Sequence, residues 1–203
     1  MRLPCPKGKR GSLFSGQKPL GANFSAANIN SKFALLFSFG GVNVVIRKAK
    51  EEDISRIAEI LVFVKRIKYR DIFHNDQFSF GELQVLTEAK RYMEYCKSNH
   101  SDRQPARILD NIWVYDDGIV KGLIHIEDTE VVELYTDYFF WGQGVGSALL
   151  KFAIDEFNVS KLWVLEKNTD AIAFYKAHGF IESGKKQFAE GTEELELLLV
   201  REA

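Results

Sequence analysis

The chain has 203 residues, a formal net charge of −1, 46% hydrophobic and 27% charged residues, an ordinary globular composition that allows one good core and points to a single domain plus a tail. Residues 1–41 hold six Lys/Arg and no Asp or Glu, so the rest of the chain carries −7; an acidic domain repels phosphate backbones, which argues against nucleic acid as a partner, and draws cationic amines. No apolar run approaches the roughly 18 residues that span a bilayer, and Cys5 and Cys96 have no C-x-x-C spacing, so a soluble protein of a reducing cytoplasm, with no membrane partner, disulfide framework or zinc site, is expected.

Residues 1–41 contain three of the four prolines and six of the fifteen glycines, too little apolar surface to offset chain entropy. They read as a disordered leader, as a transit peptide, or as the product of a mis-set translation start whose true position is Val42; the last is preferred. The folded domain is expected over 42–203.

From Asn43 the two periods alternate. Asn43–Lys48 is short and β-branched, and Ile54, Ile57, Ala58, Leu61 and Val64 then repeat at helical spacing. Phe80, Leu83, Leu86, Met93 and Cys96 suggest a second helix. Asp110–Tyr115 and Ile119–Glu127 flank Asp116-Asp117-Gly118, a hairpin signal that makes these strands antiparallel. Glu130–Thr136 reads as a buried strand, followed by glycines at 142–146 and a helix with Val145, Ala148, Leu149, Phe152 and Ala153 on one face. Lys161–Glu166 is a strand, Thr169–Ala177 a helix that Gly179 can end with φ > 0, and Glu193–Val200 the last strand.

The run from Leu134 to Leu150 places a strand, a Gly-x-Gly-x-Gly turn and an amphipathic helix in succession. Glycines let the backbone approach a ligand, and the first N–H groups of a helix lack internal partners, so this is an anion-binding design. No Lys follows the glycines, as a Walker loop requires, and Ser147 or Leu149 stands where the third glycine of a dinucleotide fingerprint belongs. A structural reading, a tight strand-to-helix turn and nothing more, is the alternative.

A second motif runs from Leu162 through Asn168, Tyr175 and Gly179-Phe180. Together the two stretches resemble the GNAT superfamily of acetyl-CoA-dependent N-acetyltransferases, whose members carry a Q/R-x-x-G-x-G/A loop opening a helix, then a strand, an Asn, a helix bearing a Tyr, and a Gly-Phe pair. The resemblance is sharp over Glu133–Phe180 and architectural before it. It implies an α/β (α+β) fold, a mixed and largely antiparallel sheet flanked by about four helices.

It further implies that Leu134, Tyr135 and Thr136 offer strand backbone to the pantetheine arm. Gly142, Gln143, Gly144, Val145, Gly146 and Ser147 would cradle the pyrophosphate, and Asn168 and Tyr175 meet the thiol end. Trp141 departs from the pattern, standing where Gln or Arg is usual.

The implied chemistry is direct transfer of the acetyl group of acetyl-CoA to a primary amine in a ternary complex, by a monomer or homodimer. An alkyl ammonium, with a reference pKa of about 10.4, needs a carboxylate to take its proton; Glu133 and Glu166 are the candidates, each equally able to face solvent. Tyr175, a phenol with a reference pKa of about 10, is the candidate acid for the departing thiolate, and a strand N–H near Tyr135 or Thr136 would meet the oxyanion.

His74, His100, His125 and His178 have no ligand spacing, so no metal is expected. Tyr69, Phe73, Phe78 and Phe80 either line an acceptor pocket or join the core. The rival from another class is a catalytically silent acyl-CoA-binding or interaction module; a different nucleotide-binding enzyme is a weaker third reading. The acceptor amine is not identified by the sequence.

Overall fold

The computed structural model describes residues 35–39, 42–97 and 108–202. They form β1 (Leu35–Phe39), β2 (Val42–Lys48), α1 (Ile54–Phe73), a π-helical turn (Gln77–Glu82) and α2 (Val85–Lys97). After these come β3 (Ile112–Asp116), β4 (Val120–Glu127), β5 (Glu130–Thr136), α3 (Val145–Phe157), β6 (Lys161–Leu165), α4 (Thr169–Lys176), β7 (Ile181–Phe188) and β8 (Leu195–Val200). The fold is the mixed α/β type expected, with an eight-stranded sheet in the order β1-β2-β3-β4-β5-β6-β8-β7. Every neighbouring pair is antiparallel except β5 and β6.

β1 lies inside the segment expected to be disordered, and for these residues that expectation is corrected. Leu-Leu-Phe-Ser-Phe has strong strand propensity and pairs antiparallel with β2, Phe39 opposite Val42. In sequence a Gly-Gly pair separates the two runs, the hairpin signal passed over in a glycine-rich leader. The rest of the leader, residues 1–34 and 40–41, lies outside the described residues, as does His100.

The sheet divides the core in two. Ile57, Ala58, Leu61 and Val64 of α1 pack with Tyr92 of α2 and with Val114, Leu123 and Tyr135 on one face. Leu149, Phe152 and Ala153 of α3 and Ala171 and Tyr175 of α4 pack with Trp113, Ile124 and Leu134 on the other. The helical apolar spacing of α1 is therefore its buried stripe.

Two local devices fix the helices over the sheet. Arg47 on β2 donates to both Asp53 oxygens, at 2.7 and 2.9 Å, and to Asp116 at 2.8 and 3.0 Å. Burial alone would raise the Asp53 carboxyl, but the Arg47 guanidinium and the Lys50 N–H hold it below its ordinary value. On the opposite face Gly122 of β4 lets α3 lie close. A Cβ there would stand 2.9 Å from the Tyr135 carbonyl oxygen and 2.9 Å from Val145 Cγ1.

Candidate functional site

β5 is paired along its length with β4, from Glu127 opposite Glu130 to Gly122 opposite Thr136. With β6 it shares only two pairs, Glu130 with Lys161 and Val131 with Leu162. Beyond that point β5 and β6 part. Asp137 donates its N–H to Lys121 of the β4 side at 2.9 Å. By the alternation of an antiparallel ladder Leu134 and Thr136 then direct their backbone groups to the edge that β6 has left.

At the open end stands α3. Gly144 is its N-cap with φ 86°, and its carbonyl accepts from the Ala148 N–H at 2.9 Å, so the N–H groups of Val145, Gly146 and Ser147 have no partner within the helix. Gly142, with φ 75°, and Gly144 would each project a Cβ into open space, so backbone conformation is what requires glycine there.

These residues wall a cleft of about 510 Å³ together with Thr136, Phe140 and Trp141 from the β5 side and Asp170, Ala173 and Phe174 from α4. Thr136 is 2% exposed, and among the described residues its Oγ1 has no hydrogen-bond partner. A glycine-lined helix start, uncommitted amides and an unpartnered hydroxyl form a donor set suited to an anionic ligand.

The sequence candidates fall into three groups. Thr136, Trp141, Gly142, Gly144, Val145, Gly146 and Ser147 line the cleft. Gln143 is exposed and donates to the Phe139 carbonyl at 3.1 Å, while Asn168 is buried and caps α4 by accepting from the Ala171 N–H at 3.1 Å. Tyr175 is 2% exposed; it packs on Phe174 and Phe180 on the sheet-facing side of α4, a different side from the cleft-lining Asp170, Ala173 and Phe174.

The two carboxylate candidates are separated. Glu166 is exposed and held by Lys186 at 2.6 Å, outside the cleft lining. Glu133 is enclosed on the α1–α2 face, where Lys65 lies 3.6 Å from one oxygen and the Tyr92 hydroxyl donates to the other at 3.4 Å. Lys65 is itself buried and stands 5.7 Å over the Tyr135 ring. Burial first, and then the Glu133 charge, push Tyr92 ionisation well above the usual phenol value, so this hydroxyl stays a donor.

Lys65 and Lys68 were not anticipated, although Lys65 follows Leu61 by four residues on the apolar stripe of α1, the one available signal. Lys68 reaches Asp170 at 3.6 Å, linking α1 to the cleft wall. Among the aromatic candidates, Phe73 packs against the α1–α2 core and Phe80 is half exposed beside Arg66; the side chains of Tyr69 and Phe78 lie outside the described residues. His74 ends α1 and His125 lies 3.5 Å from Glu127. His178 Nδ1 meets the Phe174 carbonyl at 2.8 Å. Among the described residues no group of three or more His, Cys, Asp or Glu could hold a metal, and no helix is long and apolar enough to cross a membrane.

Residues 109–182 match the family model of the acetyltransferase (GNAT) domain. The fold is similar to that of YjaB from Escherichia coli, solved in its apo form, with 20% identity, 77% of this chain and 96% of that one covered, and a TM-score of 0.57. It is similar to an N-acetyltransferase from Staphylococcus aureus Mu50 at 20% identity, covering 78% and 96%, with a TM-score of 0.50. A third similar structure, yncA from Salmonella typhimurium, was solved with its cofactor acetyl-CoA; identity is 19%, coverage 77% and 91%, and the TM-score 0.51.

Proposed function

We propose that this chain, which carries a GNAT acetyltransferase domain at residues 109–182, binds acetyl-CoA in the cleft and transfers the acetyl group directly to a primary amine. The observation that carries this reading is the parting of β5 from β6 after two residue pairs, with the free amides of α3 at its open end. A gap of that kind lets an extended, amide-bearing arm lie along a strand edge while its anionic end meets a helix start. Leu134 supplies backbone groups for the arm, and the loop from Gly142 to Ser147, Gln143 by its backbone included, holds the pyrophosphate.

Strand alternation then divides the chemistry. Glu133 lies on the α1–α2 face and Tyr175 on the α3–α4 face. An amine arriving from the first face would lose a proton to the Glu133 carboxylate as its nitrogen bonds to the thioester carbon. The carbon–sulfur bond breaks towards the second face, where the Tyr175 hydroxyl gives its proton to sulfur. Of the two N–H groups named for the carbonyl oxygen, that of Thr136 is turned to the open edge and that of Tyr135 towards β4. Glu133 is preferred to Glu166 because the latter is engaged at the surface by Lys186.

The silent acyl-CoA-binding module is favoured by one observation: Tyr175 is 2% exposed. Calorimetric titration with acetyl-CoA, paired with a thiol-release assay over a panel of amines, decides between them. For an enzyme, Tyr175→Phe lowers turnover about tenfold or more while leaving acetyl-CoA affinity unchanged. Saturable binding with no amine-dependent thiol release from the wild type leaves the module, and a folded chain that ignores both CoA and acetyl-CoA removes both readings.

A further inference from the structure

Resting on the acetyl-CoA reading, the structure assigns a phosphate-binding role to a side chain outside the motif: we propose that the Thr136 hydroxyl donates a hydrogen bond to a phosphate oxygen of the cofactor, replacing the polar side chain missing at Trp141. Trp141 does not itself fill that role. Its indole N–H donates to the Thr136 carbonyl at 2.7 Å, its ring meets Tyr138 edge-on at 4.6 Å between centroids, and it packs against the α1–α2 core. The indole therefore also occupies the carbonyl that Thr136 turns to the open edge.

What remains at this position is the hydroxyl. Thr136 is 2% exposed and lines the cleft, and its Oγ1 has no hydrogen-bond partner among the described residues. A buried polar group left unpaired is costly, and valine would fill the same space without that cost, so the hydroxyl calls for an acceptor that binds there. Its surroundings name the acceptor. A Cβ built on Gly146 would stand 3.3 Å from Thr136 Oγ1, which puts the hydroxyl beside the first turn of α3, where three N–H groups lack partners in the helix. The carboxylate lining the same cleft, Asp170, has Lys68 3.6 Å away to offset its charge. Donors without a competing free anion suit a phosphate oxygen.

The test is Thr136→Val, with Thr136→Ser as the variant that keeps the hydroxyl. Both are titrated calorimetrically with CoA and with 3′-phospho-ADP, the half of CoA that retains the diphosphate, and melted without ligand. Thr136→Val should weaken both ligands by the same factor, about five- to tenfold for one lost hydrogen bond. It should leave the ligand-free melting temperature unchanged or raised, and Thr136→Ser should retain binding. Unchanged CoA affinity in Thr136→Val overturns the proposal alone. So does a loss for CoA without a loss for 3′-phospho-ADP, which would move the hydroxyl to the pantetheine arm, or a lowered ligand-free melting temperature, which would make it structural. A wild-type chain that binds neither ligand overturns the acetyl-CoA reading and this proposal with it.

Discussion

The two faces of β5 differ in kind although they alternate residue by residue along one strand. Towards α1 and α2, Glu133 and Tyr135 meet the buried Lys65 and the Tyr92 hydroxyl, a set of groups that hold charge and protons. Towards α3 and α4, Leu134 and Thr136 meet apolar packing, aromatic walls and a glycine-lined helix start. The two helix layers meet where Lys68 of α1 reaches Asp170 of α4, and a single strand serves both because a β-strand sends successive side chains to opposite sides. On the proposed reading the base Glu133 and the cofactor-holding Thr136, three residues apart on one strand, can therefore be altered separately.

The largest effect should come from Glu133→Gln, which removes the carboxylate and keeps its shape. Amine-dependent thiol release should fall about a thousandfold while calorimetric CoA affinity stays within twofold; a comparable loss of affinity would merge the two faces and break the comparison. Next comes Lys65→Met, which leaves the enclosed Glu133 charge without its cation. It should cost about 3 kcal/mol in urea denaturation, most of it recovered in Lys65→Met combined with Glu133→Gln. If the double variant is no more stable than the single one, the pair is not the coupled unit its geometry describes.

The Asp53 clasp that seats α1 over the first face should be sensitive to acid. Its folded-state pKa is lowered, so the stability it contributes is present above the ordinary Asp value of about 3.9 and is lost as pH falls through the depressed one. Asp53→Asn, which loses the charge on its hydrogen bonds with Arg47 and the Lys50 N–H, should cost about 2 kcal/mol at neutral pH, with the gap to wild type closing only in the most acidic denaturation curves. The smallest effect belongs to the second face. Gly144→Ala meets no neighbour but must hold φ near 86°, which should cost about 1 kcal/mol of stability in the same measurement.

Much of the second face was legible in the chain, because its devices are local. The β5 strand has the bounds its sequence suggests, Val145 starts α3, and Gly179 ends α4 with positive φ, whereas Asn168, expected only at the thiol end of the cofactor, is the cap of α4. The first face was not legible, since Lys65, Tyr92 and Glu133 come from three elements and only packing joins them. β7 was missed for a different reason. Every residue from Ile181 to Phe188 is exposed, so the strand has no inward side to impose alternation. The apolar spacing that suggests a second helix begins at Phe80, inside the π-helical turn, and passes through Leu83 just beyond it, whereas α2 begins at Val85. Thr136 was named for its backbone; the significance of its hydroxyl depends on Gly146, ten residues away, lying beside it.

The two residue pairs joining β5 to β6 also have a mechanical meaning. Five strands lie on one side of that seam and three on the other, so the sheet resembles two plates fastened at a corner. The smaller plate, β6 with β8 and β7, is tied to itself by antiparallel ladders and to the larger by little backbone. Its hold on the larger plate is side-chain packing, with Leu162, Val164, Leu197 and Leu199 sharing a core with Ile124 and Leu134. A molecule lodged along the seam would act as the missing rungs, so its arrival should be felt as a stiffening of strands it never touches.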